Sequence, residues 1–269
     1  MRTLSSHGSK KERHMGKYFD DIHESWKSQL ESMPEEVPDS EEVAAAISAA
    51  MDHNSFVTLG NALTKQLKYR RAANAYSQAL EFSPDNSGTL RLRAGRYVST
   101  LQCEFAISDL EQCLILGEDE LDIRYRIGLC RYFMGQYKEA IGQFELCMPL
   151  CDDEMGIAVI YWHTLSAYRC GREAALLCHY HENMAVGHHT AYERAVHVCS
   201  GLGQAEELAH MLDDEPEDME YAIAAYGLGG FLKSSGEDEK GTRLLRNILS
   251  RDGFWPCYAY LAAWRDNIS

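Results

Sequence analysis

From Asn54 onward the apolar residues recur every three or four positions in short runs that polar turns separate. This spacing is typical of amphipathic helices with one buried face. The stretch GNALTKQLKYRRAANAYSQALEFSPDN, residues 60–86, contains two such runs, and Pro84 ends the second because proline cannot continue a helix. The pattern therefore predicts a pair of antiparallel helices followed by a turn.

The same landmarks return at a spacing of 34 residues. A period of this length predicts stacked helix pairs, because one pair alone exposes an apolar face that the next pair buries. The positions in register are Leu59, Arg93 and Ile127; Gly60, Ala94 and Gly128; Ala72, Ala106 and Ala140; Tyr76, Leu110 and Phe144; and Ala79, Cys113 and Cys147.

Small residues at fixed points of each unit predict close contact between its two helices. Gly60 and Ala72 would allow the two backbones to approach, and Tyr76 would fill the remaining space beside Leu59 and Leu63. The third unit offers the same combination of a glycine and an aromatic residue.

These landmarks resemble the tetratricopeptide repeat family. The second unit keeps Ala94, Tyr97 and Ala106 but lacks the family's proline, and the third keeps Gly128 and GQYKEAIGQF, with Asp152 at the proline position. Three units in one register, from Asn54 to about Asp153, make the resemblance specific. The residues that carry the family pattern in the first unit are Phe56, Leu59, Gly60, Leu63, Ala72, Tyr76, Ala79 and Pro84.

The resemblance implies an all-α fold, a right-handed α-solenoid of stacked antiparallel helix pairs with terminal capping helices. Repeat periodicity and glycine-marked turns together predict about five or six pairs. The resemblance also implies a non-catalytic interaction scaffold or adaptor, in which inner helices form a concave groove that holds a peptide segment or a helix of a partner.

The chain divides into three predicted parts. Residues 1–38 are polar and are predicted to be mobile or partly helical. Residues 39–153 comprise the three recognisable repeats, preceded by a lid helix from Glu41 to Asp52 with Ser40 as its cap. Residues 154–269 are predicted to form degenerate helix pairs that turn near Gly171, Gly201 and Gly236. Their capping segment carries Trp255, Tyr258, Leu261 and Trp264 at helical spacing.

Charge and cysteine content limit the classes of partner and the compartment. The chain of 269 residues carries 41 acidic and 26 basic residues, a net charge of −15, which argues against a nucleic-acid partner or an anionic membrane. Its nine cysteines lie scattered in apolar helical patterns, which predicts free thiols in a reducing compartment. No apolar run is long enough to span a bilayer, so we expect a soluble, cytoplasmic protein.

Matching the chain to the inner positions of the family gives a predicted peptide-binding groove. The groove mixes aromatic, amide and cationic groups, which suits a peptide with acidic and aromatic character. The nearby Arg91, Arg93 and Arg96 would face such a partner or pair with the chain's own acidic linker. The predicted groove residues are Asn54, Val57, Asn61, Thr64, Arg91, Gly95, Val98, Tyr125, Leu129 and Tyr132.

Some members of the resembled family grip the C-terminal carboxylate of a chaperone with two asparagines and three basic residues. Asn61 and Arg126 match two of these five positions. The other three are Val57, Leu92 and Asp122, which cannot donate to a carboxylate as that grip requires. The sequence therefore argues against a chaperone-tail clamp.

No nucleotide loop or nucleophile elbow supports catalysis, and we predict no cofactor, no metal and no enzyme activity. Two alternatives remain open. The first is a metal- or thiol-dependent enzyme that uses region 178–199, where Cys178, His181, His189, Glu193, His197 and Cys199 would have to converge. The second is a self-assembling structural protein. The oligomeric state is left open.

Overall fold

The computed structural model describes residues 38–251 and 253–268. Except at Pro38, the prediction for residues 1–38 lies outside the described residues. The described residues form thirteen α-helices, two short 3-10 helices and no β-strand. None of these helices is long and apolar enough to cross a bilayer. The α-helices are α1 Glu41–Ala49, α2 His53–Lys65, α3 Tyr69–Phe82, α4 Ser87–Ser99, α5 Cys103–Ile115, α6 Glu120–Phe133, α7 Tyr137–Cys147, α8 Asp153–Arg169, α9 Thr190–Cys199, α10 Ala205–Asp213, α11 Asp218–Ser234, α12 Asp238–Leu249 and α13 Tyr258–Ile268, and the 3-10 helices are Met148–Leu150 and Ala175–His179.

The helices stack in chain order, which confirms the predicted all-α solenoid. The pairs α2–α3, α4–α5 and α6–α7 are the three repeats seen in the sequence, and each packs on the next. Helices α9 and α10 and helices α11 and α12 form two further pairs after α8. Helix α1 packs on α2, where Val43 and Ala46 are buried beside the first repeat.

Asx side chains cap the helices that begin each repeat. Asp52 Oδ1 accepts the Ser55 N–H at 2.8 Å and Asn86 Oδ1 accepts the Thr89 N–H at 2.9 Å. Asp119 and Asp152 cap α6 and α8 in the same way. These bonds satisfy backbone donors that the first turn of a helix cannot pair internally, and so they fix where each inner helix starts.

The two helices of a repeat touch where a glycine faces an aromatic ring, as predicted. A Cβ atom at Gly60 would overlap the ring of Tyr76, and one at Gly128 would lie 2.6 Å from Phe144 Cε1. Both rings are almost fully buried and cannot swing away. Only glycine therefore allows these two pairs of helices to approach so closely.

The fourth predicted pair is only half formed, which corrects the sequence-based expectation. Helix α8 is central, with residues 156–167 all buried, but its expected partner is only the 3-10 helix Ala175–His179. The chain after it is held by the first turn of α8 instead. Ala185 N donates to Asp153 Oδ2 at 2.9 Å, and His188 N donates to Glu154 Oε1 at 3.1 Å. These two bonds attach the irregular segment to the start of α8.

The C-terminal segment caps the stack and also reaches back to its beginning. Helix α13 packs on α11 and α12, as expected of a cap, and it also contacts α6 of the third repeat. Arg265 Nε donates to the carbonyl oxygen of Phe133 at 3.2 Å. Just before α13, the Trp255 ring lies 5.6 Å from the ring of Tyr69 in the first repeat. The C-terminal segment therefore contacts both the third repeat and the first repeat.

Replacing Gly60 with alanine tests the close approach of α2 and α3. We expect Gly60→Ala to lower the free energy of unfolding by about 1–3 kcal/mol, because the added methyl group overlaps a buried ring. Gly142→Ala in α7 is the matched control. Its Cβ atom would meet no neighbour within 4 Å, so we expect a gain of about 0.5–1 kcal/mol from helix propensity. Urea unfolding measures both changes, and equal effects of the two substitutions would contradict this account.

Candidate functional site

The structure divides the predicted groove residues into a buried half and an open half. Tyr125 is 8% exposed and Tyr132 is 4% exposed, so the expectation that these large groups face an open groove is wrong. The buried residues of the predicted set are Gly95, Val98, Tyr125, Leu129 and Tyr132, whereas Asn54, Val57, Asn61, Thr64 and Arg91 keep solvent access.

The buried half is covered by the C-terminal part of the same chain. The Tyr132 ring lies 5.1 Å from Trp162 of α8, and its hydroxyl lies 2.7 Å from the Tyr226 hydroxyl of α11. The Phe133 ring lies 6.4 Å from Tyr258 at the start of α13. Burial raises the pKa of the Tyr132 hydroxyl far above its ordinary value. The inner face of the third repeat is therefore part of the core.

The open half begins on α2. Tyr76 Oη donates to Asn61 Oδ1 at 2.8 Å, and the Tyr76 hydroxyl lies 3.3 Å from Thr64 Oγ1. Because the amide oxygen of Asn61 is engaged, its exposed NH₂ group is left as the donor on this face. The buried ring that joins α2 to α3 therefore also orients an exposed polar group of α2.

An open cleft of about 300 Å³ continues this face between α4 and α6. Three arginines surround it, together with a leucine and two glycines. Gly95 gives Arg126 room, since a Cβ atom at this position would lie 3.0 Å from a terminal nitrogen of Arg126. Leu92 is partly exposed and supplies apolar surface. The residues that line the cleft are Gly88, Arg91, Leu92, Gly95, Arg96 and Arg126.

One carboxylate holds two of the arginines in place. Asp122 accepts a hydrogen bond from Arg126 Nε at 2.9 Å and one from a terminal nitrogen of Arg91 at 3.0 Å. Arg91 also lies 3.4 Å from Glu118, whereas Arg96 lies over the Tyr69 ring with its guanidinium carbon 4.5 Å from the ring centroid. A guanidinium has five N–H donors, so these pairings use only part of the donor capacity of Arg91 and Arg126. The arrangement can accept an anionic group.

The structure separates Arg93 from the cleft and adds Arg126 to it. Arg93 does not face the cleft beside Arg91 and Arg96, because it turns toward α5 and binds Asp109 through two hydrogen bonds of 2.7 Å. Arg126, which is not among the predicted groove residues, lines the cleft. Arg126 stands 34 residues after Leu92, which also lines the cleft, so the repeat register is the sequence signal that identifies it.

The His/Cys-rich stretch does not converge on one point. Tyr180 Oη donates to Glu193 Oε1 at 2.9 Å and lies 3.1 Å from His197 Nδ1, while His189 Nδ1 lies 2.5 Å from the carbonyl oxygen of Glu154. In the part of the chain that the structure describes, no three His, Cys, Asp or Glu side chains group as ligands of one metal ion. The side chains of this stretch stabilise the irregular segment after α8.

The two cysteines of this stretch differ in burial. Cys178 is exposed, whereas burial raises the pKa of the Cys199 thiol to about 12 and keeps it protonated at neutral pH. A protonated thiol is a poor nucleophile. Nothing in this geometry activates Cys199.

Comparison with known proteins supports the fold and little else. No protein-family model matches the sequence. A stretch of 86 residues, 32% of the chain, is 34% identical to Heat-shock protein cognate co-chaperone sgt12 of Aspergillus fumigatus. The match spans only about a quarter, 25%, of the length of that relative.

Two solved structures illustrate the similarity of fold. A tetratricopeptide repeat protein from Parabacteroides merdae is 16% identical, with a TM-score of 0.52, and the match covers 93% of this chain and 100% of that one. YrrB, described as a tetratricopeptide repeat protein with an unusual peptide-binding site, is 15% identical with a TM-score of 0.44, covering 86% and 100%. The chain has the fold of a tetratricopeptide repeat protein.

Alkylation of the folded protein tests how the thiols are disposed. We expect iodoacetamide at mildly alkaline pH to modify Cys178 first, because it is exposed. Burial raises the pKa of Cys113 to about 11 and that of Cys147 and Cys199 to about 12, so these thiols should react only after unfolding. Peptide mass spectrometry gives the order of labelling. Rapid labelling of Cys199 in the folded state would revive the thiol-dependent alternative.

Proposed function

We propose that this tetratricopeptide repeat protein is a non-catalytic interaction scaffold whose open concave cleft binds an acidic, extended segment of a partner protein. The observation that carries the proposal is the convergence of Arg91, Arg96 and Arg126 on one cleft of about 300 Å³ in a chain with a net charge of −15. Cations gathered at one concave place in an otherwise acidic protein favour an anionic ligand there.

The cleft offers a carboxylate of the ligand direct hydrogen bonds in addition to long-range electrostatic attraction. Terminal N–H groups of Arg91 and Arg126 can donate charge-assisted hydrogen bonds, which are stronger than those between neutral groups. Asp122 restrains both side chains, so little rotamer freedom is lost when a ligand binds. Leu92 provides a surface for an apolar side chain of the ligand, best an aromatic one, next to its acidic group.

The proposed ligand runs over the first two repeats and ends at Arg126. Asn54, Val57, Asn61 and Thr64 of α2 keep solvent access, and His53 Nε2 lies 3.1 Å from Thr89 Oγ1, which brings the start of α2 beside α4. Beyond Arg126 the concave face is occupied by the chain's own C-terminal segment. A short extended peptide fits this open length better than a long helix.

We favour binding over catalysis because the candidate catalytic side chains of region 178–199 are engaged in structural contacts or are protonated. The Tyr180 hydroxyl bonds to both Glu193 and His197, and burial raises the pKa of the Cys199 thiol to about 12. The partial similarity to a co-chaperone supports a protein partner. A terminal-carboxylate clamp is not supported, since Asp122 puts a negative charge between Arg91 and Arg126 at one of the required basic positions.

Selection of short random peptides displayed on phage, with the full chain as bait, tests this proposal. We expect the selected peptides to be enriched in Asp and Glu, and their binding, measured by fluorescence anisotropy, to weaken as salt is raised. Arg126→Gln should raise Kd about tenfold, which corresponds to the loss of about one charge-assisted hydrogen bond.

Arg124→Gln is the matched control for Arg126→Gln. Both arginines lie on α6 and pair with a carboxylate four residues earlier, Arg124 with Glu120 at 2.6 Å and Arg126 with Asp122 at 2.9 Å. Only Arg126 lines the cleft. We expect Arg124→Gln to leave Kd unchanged. Peptides without acidic enrichment, or equal weakening by the two substitutions, would rule out the cleft as the binding site.

A further inference from the structure

A second feature of the repeats lies at the ends of their outer helices, away from the arginine cleft. The last turn of α3, α5 and α7, or the turn just after it, exposes large apolar side chains. Phe82 is 55% exposed, and Leu116 and Leu150, at the equivalent positions 34 and 68 residues later, are 40% and 46% exposed. We call this surface the turn edge and define it by Phe82, Ile115, Leu116, Leu146 and Leu150.

Hydrogen bonds between successive turns make the turn edge one continuous surface. Gln112 Nε2 donates to Asp85 Oδ1 at 3.3 Å, which joins the end of α5 to the turn after α3. Cys113 Sγ donates to the Ser87 carbonyl oxygen at 3.5 Å, and Cys147 Sγ to that of Leu121 at 3.9 Å. The exposed apolar groups therefore belong to neighbouring turns. An apolar row at equivalent positions of three repeats is more than scattered surface leucines.

The sequence segments that form the turn edge are acidic. Residues 81–86, 111–122 and 145–154 contain eleven Asp and Glu and no Lys, Arg or His. Glu118, Glu120 and Asp122 pair with arginines of the inner helices. Three other carboxylates are exposed and keep their charge. Asp85 accepts from the Gln112 amide, and Asp119 and Asp152 accept from backbone N–H groups at the starts of α6 and α8. An apolar row between anionic groups remains.

We propose that the turn edge is a docking surface for a basic amphipathic helix of a partner protein, one with an apolar stripe and Lys or Arg on either side. The apolar stripe would cover Phe82, Leu116 and Leu150, and the basic residues would meet the carboxylates. The same charges disfavour a second copy of this chain, which would present its own acidic edge, and an anionic membrane. This surface does not depend on the arginine cleft.

A designed peptide pair tests the chemistry of the turn edge. The probe is a synthetic helical peptide with leucines along one face and lysines elsewhere, and the control peptide has glutamate in place of every lysine. Fluorescence anisotropy with the full chain should show binding of the lysine peptide, weakened by salt, and none of the glutamate peptide. Changing Phe82→Gln, Leu116→Gln and Leu150→Gln together should raise Kd about tenfold or more.

A second triple variant separates the turn edge from general attraction to an acidic protein. Leu202→Gln, Met211→Gln and Met219→Gln alter side chains of similar exposure, 55%, 52% and 40%, in the C-terminal half. We expect this control to leave Kd unchanged. All six side chains are exposed, so circular dichroism should show folded protein in both variants. Binding that survives the turn-edge substitutions, or that both triple variants weaken equally, would overturn the proposal.

Two further measurements on the same proteins test the other possible occupants of the turn edge. Light scattering that shows self-association of the wild type, lost only in the turn-edge variant, would assign the edge to a second copy. Displacement of the probe by a synthetic peptide of residues 1–37 would assign it to the N-terminal segment of this chain. Either result would overturn a separate basic partner, whereas a monomeric chain whose probe is not displaced supports it.

Discussion

The contact of a buried aromatic ring with a glycine, across the helix pairs of the first and third repeats, is the constraint on which the rest of the structure depends. Gly60 with Tyr76 and Gly128 with Phe144 set how near the inner and outer helices lie, and so where the next pair stacks. In the first repeat this contact also serves the surface, because the Tyr76 hydroxyl holds Asn61. Tyr76 therefore both packs α2 against α3 and orients a polar side chain on the concave face.

The C-terminal segment determines how much of the concave face is available. The hydroxyls of Tyr132 and Tyr226 bond to each other, Tyr226 donates to Asp266 at 3.0 Å, and Asp266 pairs with Arg169. This polar chain is buried at the two tyrosines and reaches solvent at Arg169, and four helices supply its partners. The closure leaves the inner face open from α2 to the cleft at Arg126 and covers it around Tyr132.

The sequence predicted what is local and missed what is distant. Pro84, the glycine–aromatic pairs and the 34-residue register act within one repeat, so spacing alone revealed them. Tyr132 matches an inner position of the repeat, but Tyr226, 94 residues later, covers it, and periodicity carries no information about such contacts. The half-formed fourth pair likewise depends on backbone bonds to Asp153 and Glu154. The rotation of Arg93 away from Arg91 depends on Asp109, a partner that helical spacing does not identify.

The net charge of −15 is unevenly distributed over the repeats, with acidic groups at the turns and arginines on the inner helices. The turns between repeats need helix-capping residues, which here are mostly carboxylates, and so acidic groups collect along the edge where the turns lie side by side. Arginines on the inner helices pair with the nearest of these carboxylates, as Arg91 does with Glu118 and Asp122. The remaining N–H donors of these arginines face the cleft. The anionic edge and the cationic cleft thus have a common origin, and they adjoin at Arg91.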